Sequence, residues 1–235
     1  MSTAPAGLDG ATATIVSLVG SLADNKSALG RRYGDWAVSA PTIESAVALA
    51  AMAQDELGHA RSTYPVLAKL GVQHDDEGLG GGQPLGVLAL EFPDWASVIA
   101  ANAVIDGILT TFVAGARDSS IEPLAQRARK ILAEEGAHRI HAEAWLRRIC
   151  RAGGDDAQLL ARRIAEHWEQ AARWCGPDDH PGWRAAIEQR MLASDPSGVR
   201  QRARDWLVAL LEAEGCSVGL AEPTDWSGWD ETDRR

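Results

Sequence analysis

Glu56-Leu57-Gly58-His59 and Glu135-Gly136-Ala137-His138 repeat one Glu-x-x-His pattern 79 residues apart, each inside a run of apolar residues spaced three and four apart. On an α-helix, residues i and i+3 share a face, so each motif aims a carboxylate and an imidazole the same way. In both cases that way is inward. Glu56 and His59 share a stripe with Leu49, Met52 and Leu67, and Glu135 and His138 share one with Ile131, Ala142 and Ile149. A further acid, Asp106, stands among Ile99, Ala103, Leu109 and Val113. Buried ionisable groups are costly unless paired or bound to metal. A fold that tolerates this pattern must therefore bring the five side chains together.

The helical period runs almost throughout. Ile15, Leu18, Val19, Leu22 and Leu29 mark a first helix. A second begins after Pro41, with Thr42 as its N-cap, and carries Ile43, Leu49, Met52, Ala60 and Leu67 on one stripe. A third starts near Asp94, and a fourth, from about Ser120, carries Leu124, Ile131, Ala142, Trp145 and Ile149. Shorter helices are expected at about 156–175, 181–193 and 198–214, and an extended tail from Glu222 to Arg235 is expected to dock on the surface. No stretch alternates in the manner of a strand. Short links around Tyr33–Ala40 and Asp118–Ser120 make two helical hairpins. Between them lies Gly71 to Glu91, with Gly78, Gly80, Gly81, Gly82 and Pro84, too long for a tight turn. Two hairpins joined by one long crossover make an all-α, ferritin-like four-helix bundle. We expect one domain over residues 1–235, with a core bundle at about 12–151 and C-terminal helices and tail at about 155–235.

Apolar residues make up 46% of the chain, enough to bury a core without disulfides or zinc. Cys150, Cys175 and Cys216 are odd in number and far apart, so neither a disulfide framework nor a thiolate metal site is expected. Lys and Arg total 23 against 33 Asp and Glu, a net charge of −10, which disfavours nucleic acid and anionic membrane surfaces as partners. No apolar run is expected to reach the roughly 18–20 residues of a membrane span. The start, Met1 to Gly7, has no basic segment of the secretory kind, so a cytoplasmic location is expected.

One Glu-x-x-His alone is usually an exposed ion pair, but two of them plus Asp106 match a more specific arrangement. Carboxylate-bridged di-iron and di-manganese bundles take one Glu-x-x-His from each of two helices and one carboxylate from each of the other two. Glu56, His59, Asp106, Glu135 and His138 are therefore the candidate metal ligands. Carboxylates with imidazole suit iron or manganese, and the His-Glu-x-x-His order of zinc proteases is absent. The repeat then makes its own prediction. Asp106 precedes Glu135 by 29 residues, so the first helix should offer an acid near position 26 or 27; Lys26 and Ser27 stand there instead. Asp24 is about 200° round the helix and should point elsewhere.

Three readings of Lys26 follow. Its ammonium replaces a metal ion in a buried network with Glu56, Asp106 and Glu135, leaving no cofactor. Alternatively, Glu56, Asp106, Glu135 and His138 hold a single metal beside His59. In the third, a neutral Lys26 acts catalytically, as ligand or base, in a two-metal oxidase. Burial alone lowers a lysine pKa, whereas surrounding carboxylates hold it charged.

The chain resembles the phenylacetic acid catabolic family at Trp36-Ala37-Val38-Ser39-Ala40-Pro41-Thr42, Gln54-Asp55-Glu56-Leu57-Gly58-His59-Ala60, Val104-Ile105-Asp106-Gly107 and Glu134-Glu135-Gly136-Ala137-His138. That family contains catalytic and structural subunits of a phenylacetyl-CoA monooxygenase. The resemblance covers roughly residues 12–214, and from Arg204-Asp205-Trp206-Leu207 onward it is closer to the non-catalytic partner. It implies that Glu56 and Glu135 bridge two metals, that His59 completes one site, and that Asp106 and His138 complete the other. The family's helix-one glutamate maps onto Lys26. The resemblance further implies O2 activation at reduced metal, electrons from a separate reductase, an aryl-CoA substrate, and a homo-oligomer or a hetero-oligomer with a homologous ferritin-like chain. The alternative is a metal-free structural subunit that partners a catalytic homologue. Arg31-Arg32 and Arg147-Arg148 are the basic pairs available to a CoA phosphate, and an iron-storage role is disfavoured. Trp168, Trp174, Trp183 and Trp206 are read as packing the C-terminal helices onto the bundle, or as a subunit interface.

Overall fold

A computed structural model of the chain describes residues 8–72 and 83–234, and these are helical with no strand among them. Four long helical rods form the core. The first hairpin is α1 (Gly10–Ala37) and α2 (Ile43–Lys69). Thr42 caps α2 by accepting from the Ser45 amide, as the sequence predicts, and Asp9 caps α1 by accepting from the Thr12 amide. A single-turn helix, α3 (Gly86–Ala89), lies on the crossover, whose Gly78, Gly80, Gly81 and Gly82 fall outside the described residues, as do Met1 to Gly7.

The third rod is composite: α4 (Trp95–Ala100), a π-helical turn (Ala101–Asp106) and α5 (Gly107–Gly115). Asp94 caps it through the Ser97 amide. The fourth rod, α6 (Glu122–Ala152), has Pro123 in its first turn and stops at Gly153, whose φ of 67° suits glycine. This is the expected ferritin-like layout, with the core along the contact of all four rods. The stretch Trp95–Gly115 corrects one expectation, because it is long and apolar enough to cross a membrane by length and composition. Most of this apolar stretch is buried inside the bundle, where a helix surrounded by other helices is apolar all round. Ile43 is a second correction. It begins α2 but is 74% exposed, because it sits more than a third of a turn from the stripe of Leu49, Met52 and Ala60.

The C-terminal third wraps this core. Helix α7 (Gly154–Trp174) packs on α4 and the π turn, α8 (Pro181–Glu188) on α1, and α9 (Pro196–Ala213) on α5. Trp168, Trp174 and Trp183 are buried at these contacts; Phe112 meets the rings of Trp174 and Trp183 edge-on, at 5.3 and 6.1 Å. The packing reading of these tryptophans is the one the structure supports. The tail docks too. Glu231 accepts from the Thr14 hydroxyl at 2.6 Å, and the buried Arg234 guanidinium donates to the Trp174 and Cys175 carbonyls at 2.7 and 3.0 Å.

Candidate functional site: a carboxylate–histidine centre closed by a lysine

All five candidate ligands converge with Lys26 at mid-height of the bundle, each at most 5% exposed. Helix α1 delivers Lys26, α2 delivers Glu56 and His59, the π turn delivers Asp106, and α6 delivers Glu135 and His138. The Lys26 Nζ lies 3.0 Å from Glu56 Oε1, 2.5 Å from Asp106 Oδ1 and 2.6 Å from Glu135 Oε1. An ammonium has three donors, and here all three are used, one on each carboxylate.

The histidines close the other side. His138 Nδ1 is 3.1 Å from Asp106 Oδ2 and 3.5 Å from Glu56 Oε1. His59 Nδ1 is 3.5 Å from Glu56 Oε2 and 3.4 Å from Glu135 Oε1. Each imidazole also reaches outward to an acid on the opposite helix: His59 Nε2 to Glu134 Oε2 at 2.8 Å, and His138 Nε2 to Asp55 Oδ2 at 3.4 Å. This reciprocal pair was missed as functional from the sequence. Its signal is legible in hindsight, because an acid immediately precedes the glutamate of both motifs, in Asp55-Glu56 and Glu134-Glu135. Such partners fix the ring orientation of an imidazole. The π turn was also missed. Its wider winding places Asn102 and Asp106 both inward, and Asn102 Nδ2 donates to Asp106 Oδ2 at 3.5 Å while Asn102 Oδ1 meets His141 Nδ1 at 3.1 Å.

Charges at the centre nearly balance. Burial works against the Lys26 ammonium, but Asp106, Glu135 and Glu56 outweigh it and hold its pKa well above the ordinary lysine value. Burial likewise works against the His138 cation, and hydrogen bonds to Asp106 and Glu56 push its pKa up to about 11. Asp106 is buried, yet Lys26 and His138 hold it well below the usual carboxylate range. Glu135 goes the other way: burial and the negative Asp106 raise it to about 7. Two cations thus face three carboxyls, of which Asp106 is held ionised and Glu135 ionises near neutrality.

Whether this donor set fits a metal is decided by one atom. Glu56, Asp106, Glu135 and His138 each bring a donor atom within 4.8 Å of the others, a grouping compatible with one ion. Metal–oxygen bonds of about 2.0–2.2 Å to the three carboxylates would put the ion where the Lys26 ammonium already sits. The fourth carboxylate that a two-metal centre takes from helix one is absent, and a cation stands in its place. As folded, the residues do not fit a two-metal group. Near the centre, Glu56 Oε2 and His59 Nδ1 are buried without a hydrogen-bond partner.

A cavity of about 420 Å³ adjoins the centre, with Asp106, Glu135 and His138 on one side, Thr110 and Gly136 in its wall, and Trp206 and Arg202 at its rim. The basic pairs that were candidates for a CoA phosphate are engaged locally. Arg31 donates to Ser27, Arg32 to Leu88 and Asp35, Arg147 to Glu143, and Arg148 stacks on Trp145.

A family model described as "Phenylacetic acid catabolic protein" matches residues 3–234. Two different subunits of the 1,2-phenylacetyl-CoA epoxidase of Escherichia coli (strain K12) are also similar to the chain. To one of them it is 27% identical over 185 residues, covering 76% of this chain and 73% of that protein. To the other it is 25% identical over 191 residues, covering 79% of this chain but only 62% of that protein. The chain therefore spans less than two thirds of the second of these relatives.

Proposed function

This chain belongs to the phenylacetic acid catabolic protein family, and from that premise we propose that it is a metal-independent, non-catalytic subunit of an aryl-CoA oxygenase-type assembly, in which Lys26 supplies the charge that a metal supplies elsewhere. The observation that carries this reading is the Lys26 ammonium, fully buried and donating to Glu56, Asp106 and Glu135 at once. A protonated lysine has no lone pair with which to ligate, and the charge balance around it keeps it protonated. The third reading of the sequence, a neutral Lys26 serving as ligand or base, loses its support on that ground. Likeness to two different subunits of one epoxidase supports a hetero-oligomeric setting, with a catalytic homologue supplying the metal chemistry and a reductase serving that homologue.

The residues then have structural tasks. Lys26 and His138 hold Asp106 ionised in the core, Lys26 donates to Glu56, and Asp55 and Glu134 fix the two imidazoles. The four rods are tied together at one level, each contributing at least one charged group.

A second reading, one ion held by Glu56, Asp106, Glu135 and His138 with Lys26 displaced, is favoured by the close grouping of those donors and by Glu56 Oε2 and His59 Nδ1, which face each other at 3.5 Å without a hydrogen bond. One experiment separates the two. The protein is produced with iron and separately with manganese, and metal content is measured for wild type and Lys26→Glu. The proposal expects a wild type with far less than one metal per chain and a variant that fills. A wild type carrying one or two ions per chain would overturn it.

A further inference from the structure

The sequence spaces its cysteines far apart, and the fold brings two of them together. Cys150 lies in the last turn of α6, and Cys216 lies just past the end of α9. Their thiols are hydrogen-bonded to each other. Cys150 is buried, whereas Cys216 is half-buried and stands between the exposed Gly215 and Ser217. Cys175 is different. It is completely buried, and its sulfur meets the Arg200 guanidinium rather than a thiol.

Both backbones at the pair are held in place. Helix α9 ends in a Schellman turn: Gly215, at φ 73°, donates its N–H to the Glu212 carbonyl at 3.0 Å, and Cys216 donates its own to the Leu211 carbonyl at 2.9 Å. Next to Cys150, Arg151 grips the Glu214 carboxylate through Nε at 2.6 Å and Nη2 at 2.9 Å, and Arg147 Nε approaches it at 3.5 Å. The end of α6 and the turn after α9 are therefore joined twice, once by an ion pair and once by the thiols. Packing alone accounts for a buried cysteine, which serves as a small apolar side chain. The apolar contact that a Schellman turn makes at this position is one any aliphatic residue supplies. A thiol set on a thiol, with one of the two open to solvent, adds the capacity to form a bond.

We propose that Cys150 and Cys216 are a peroxide-sensitive dithiol site, whose disulfide straps the C-terminal helices to the core bundle. Cys216 is the sulfur that solvent reaches, so it reacts first. Its thiolate attacks hydrogen peroxide: an S–O bond forms, the O–O bond breaks, one water leaves, and Cys216 becomes a sulfenic acid. The Cys150 sulfur then attacks Cys216. An S–S bond forms, the S–O bond breaks, and the departing hydroxide takes the Cys150 proton as a second water. The two thiols have together lost two electrons and two protons, and the peroxide has been reduced to water. Burial, and after it the contact with Cys216, push the Cys150 thiol up to about 12. Cys150 therefore resolves the reaction and does not start it. The bond encloses α7, α8 and α9, which pack on α4, α1 and α5, in one covalent loop. A dithiol reductant reopens it by exchange. None of this rests on the reading of Lys26.

The test treats the reduced full chain with hydrogen peroxide and reads intact mass, thiol titration after denaturation, and peptide mapping. The expected product is a single chain lighter by two hydrogens, with one titratable thiol where the reduced chain has three and a cross-link joining Cys150 to Cys216. Dithiothreitol should restore all three thiols. The oxidised chain should melt about 5–15 °C above the reduced one, because the bond closes a long loop. Cys216→Ser should keep both of its remaining thiols under the same treatment. Cys150→Ser, which lacks the resolving sulfur, should gain oxygen at Cys216 instead. The wild-type result decides the matter by itself if either variant fails to fold. A wild type that keeps three thiols, that gains oxygen without losing hydrogens, or that links Cys216 between chains overturns the proposal. So does an oxidised chain that melts no higher than the reduced one.

Discussion

The two halves of the bundle run the same motif, yet they treat the centre differently. The first hairpin offers Lys26, Asp55, Glu56 and His59; the second offers Asp106, Glu134, Glu135 and His138 in corresponding places. Each half reaches across to hold the histidine of the other, so the outer acids keep the symmetry that the inner site has lost. The break is confined to one position. Where the second hairpin supplies a carboxylate, the first supplies an ammonium, and it converts four negative ligands into three plus a cation. Loss of a metal from the four-carboxylate form of such a site would leave four carboxylates facing one another in a dry core, an arrangement that cannot stay ionised. A lysine with its charge at the centroid resolves this without altering any other ligand. Retention of His138 follows from the same charge balance, since it supplies the second positive charge.

The largest way to break the comparison is to remove the ammonium. Lys26→Met keeps the volume of the side chain but leaves the carboxylates uncompensated. Removing one partner of a buried ion pair typically costs about 3–5 kcal/mol, and three partners are stranded here. Urea denaturation at pH 7 should report a loss of that size. Lowering the pH toward 5 should return part of it, because the stranded carboxyls then take up protons. If Lys26→Met unfolds at the wild-type midpoint, the network contributes nothing and the lysine is incidental.

A smaller effect separates the two histidines from each other. His138 carries a pKa pushed up to about 11 by Asp106 and Glu56, after burial has opposed it. A folded-state pKa above the unfolded value of about 6.5 binds protons preferentially in the native state. The stability it contributes is therefore fully present below about pH 6.5 and is lost as pH rises toward about 11. Asp106 has the opposite sign, being depressed, and its contribution is lost in acid as pH falls through the carboxylate range. The difference in unfolding free energy between wild type and His138→Gln should therefore narrow steadily from pH 7 to pH 10. A difference that stays flat over that range would mean a neutral His138, and Lys26 would then be the sole cation of the centre.

How much of this was legible in the sequence depends on the length scale of the signal. The four rods, the cap at Thr42 and the convergence of Glu56, His59, Asp106, Glu135 and His138 were legible, because apolar stripes mark the helices and inward acids on them have only one place to meet. The mismatch at Lys26 was equally plain, since a repeat predicts its own missing member. What the period could not give was the partner of Lys26. Three readings remained until the distances placed its nitrogen on three oxygens at once. The π turn at Ala101–Asp106 was hidden because an extra residue in one turn leaves an all-apolar helix looking periodic. Ile43 was misplaced for a related reason: at a helix start, one residue of phase error moves a side chain from core to solvent. Asp55 and Glu134 passed for ordinary surface acids because their role is set by the opposite helix, which sequence spacing along one helix does not report.

The smallest effect concerns why the cavity that adjoins the centre opens on the side of the second hairpin. In the first, Gly30 of α1 faces Leu57 of α2, and a Cβ on Gly30 would lie 2.8 Å from Leu57 Cγ and 3.1 Å from the Ala53 carbonyl. The large residue fills the space that the small one leaves. In the second, the residue after the glutamate is Gly136 rather than leucine, and Thr110 shares its cavity wall. Nothing lies within 4 Å of a Cβ built on Gly136, so the space stays open. Alanine at these two glycines should then act with opposite signs. Gly30→Ala forces α1 and α2 apart and should cost about 1–3 kcal/mol. Gly136→Ala replaces a helix-interior glycine in open space and should stabilise by up to about 1 kcal/mol. Paired thermal melts at one pH decide it. Destabilisation by both would mean that the second hairpin is packed as tightly as the first and that the cavity closes in solution; stabilisation by both would remove the close α1–α2 crossing on which the asymmetry rests.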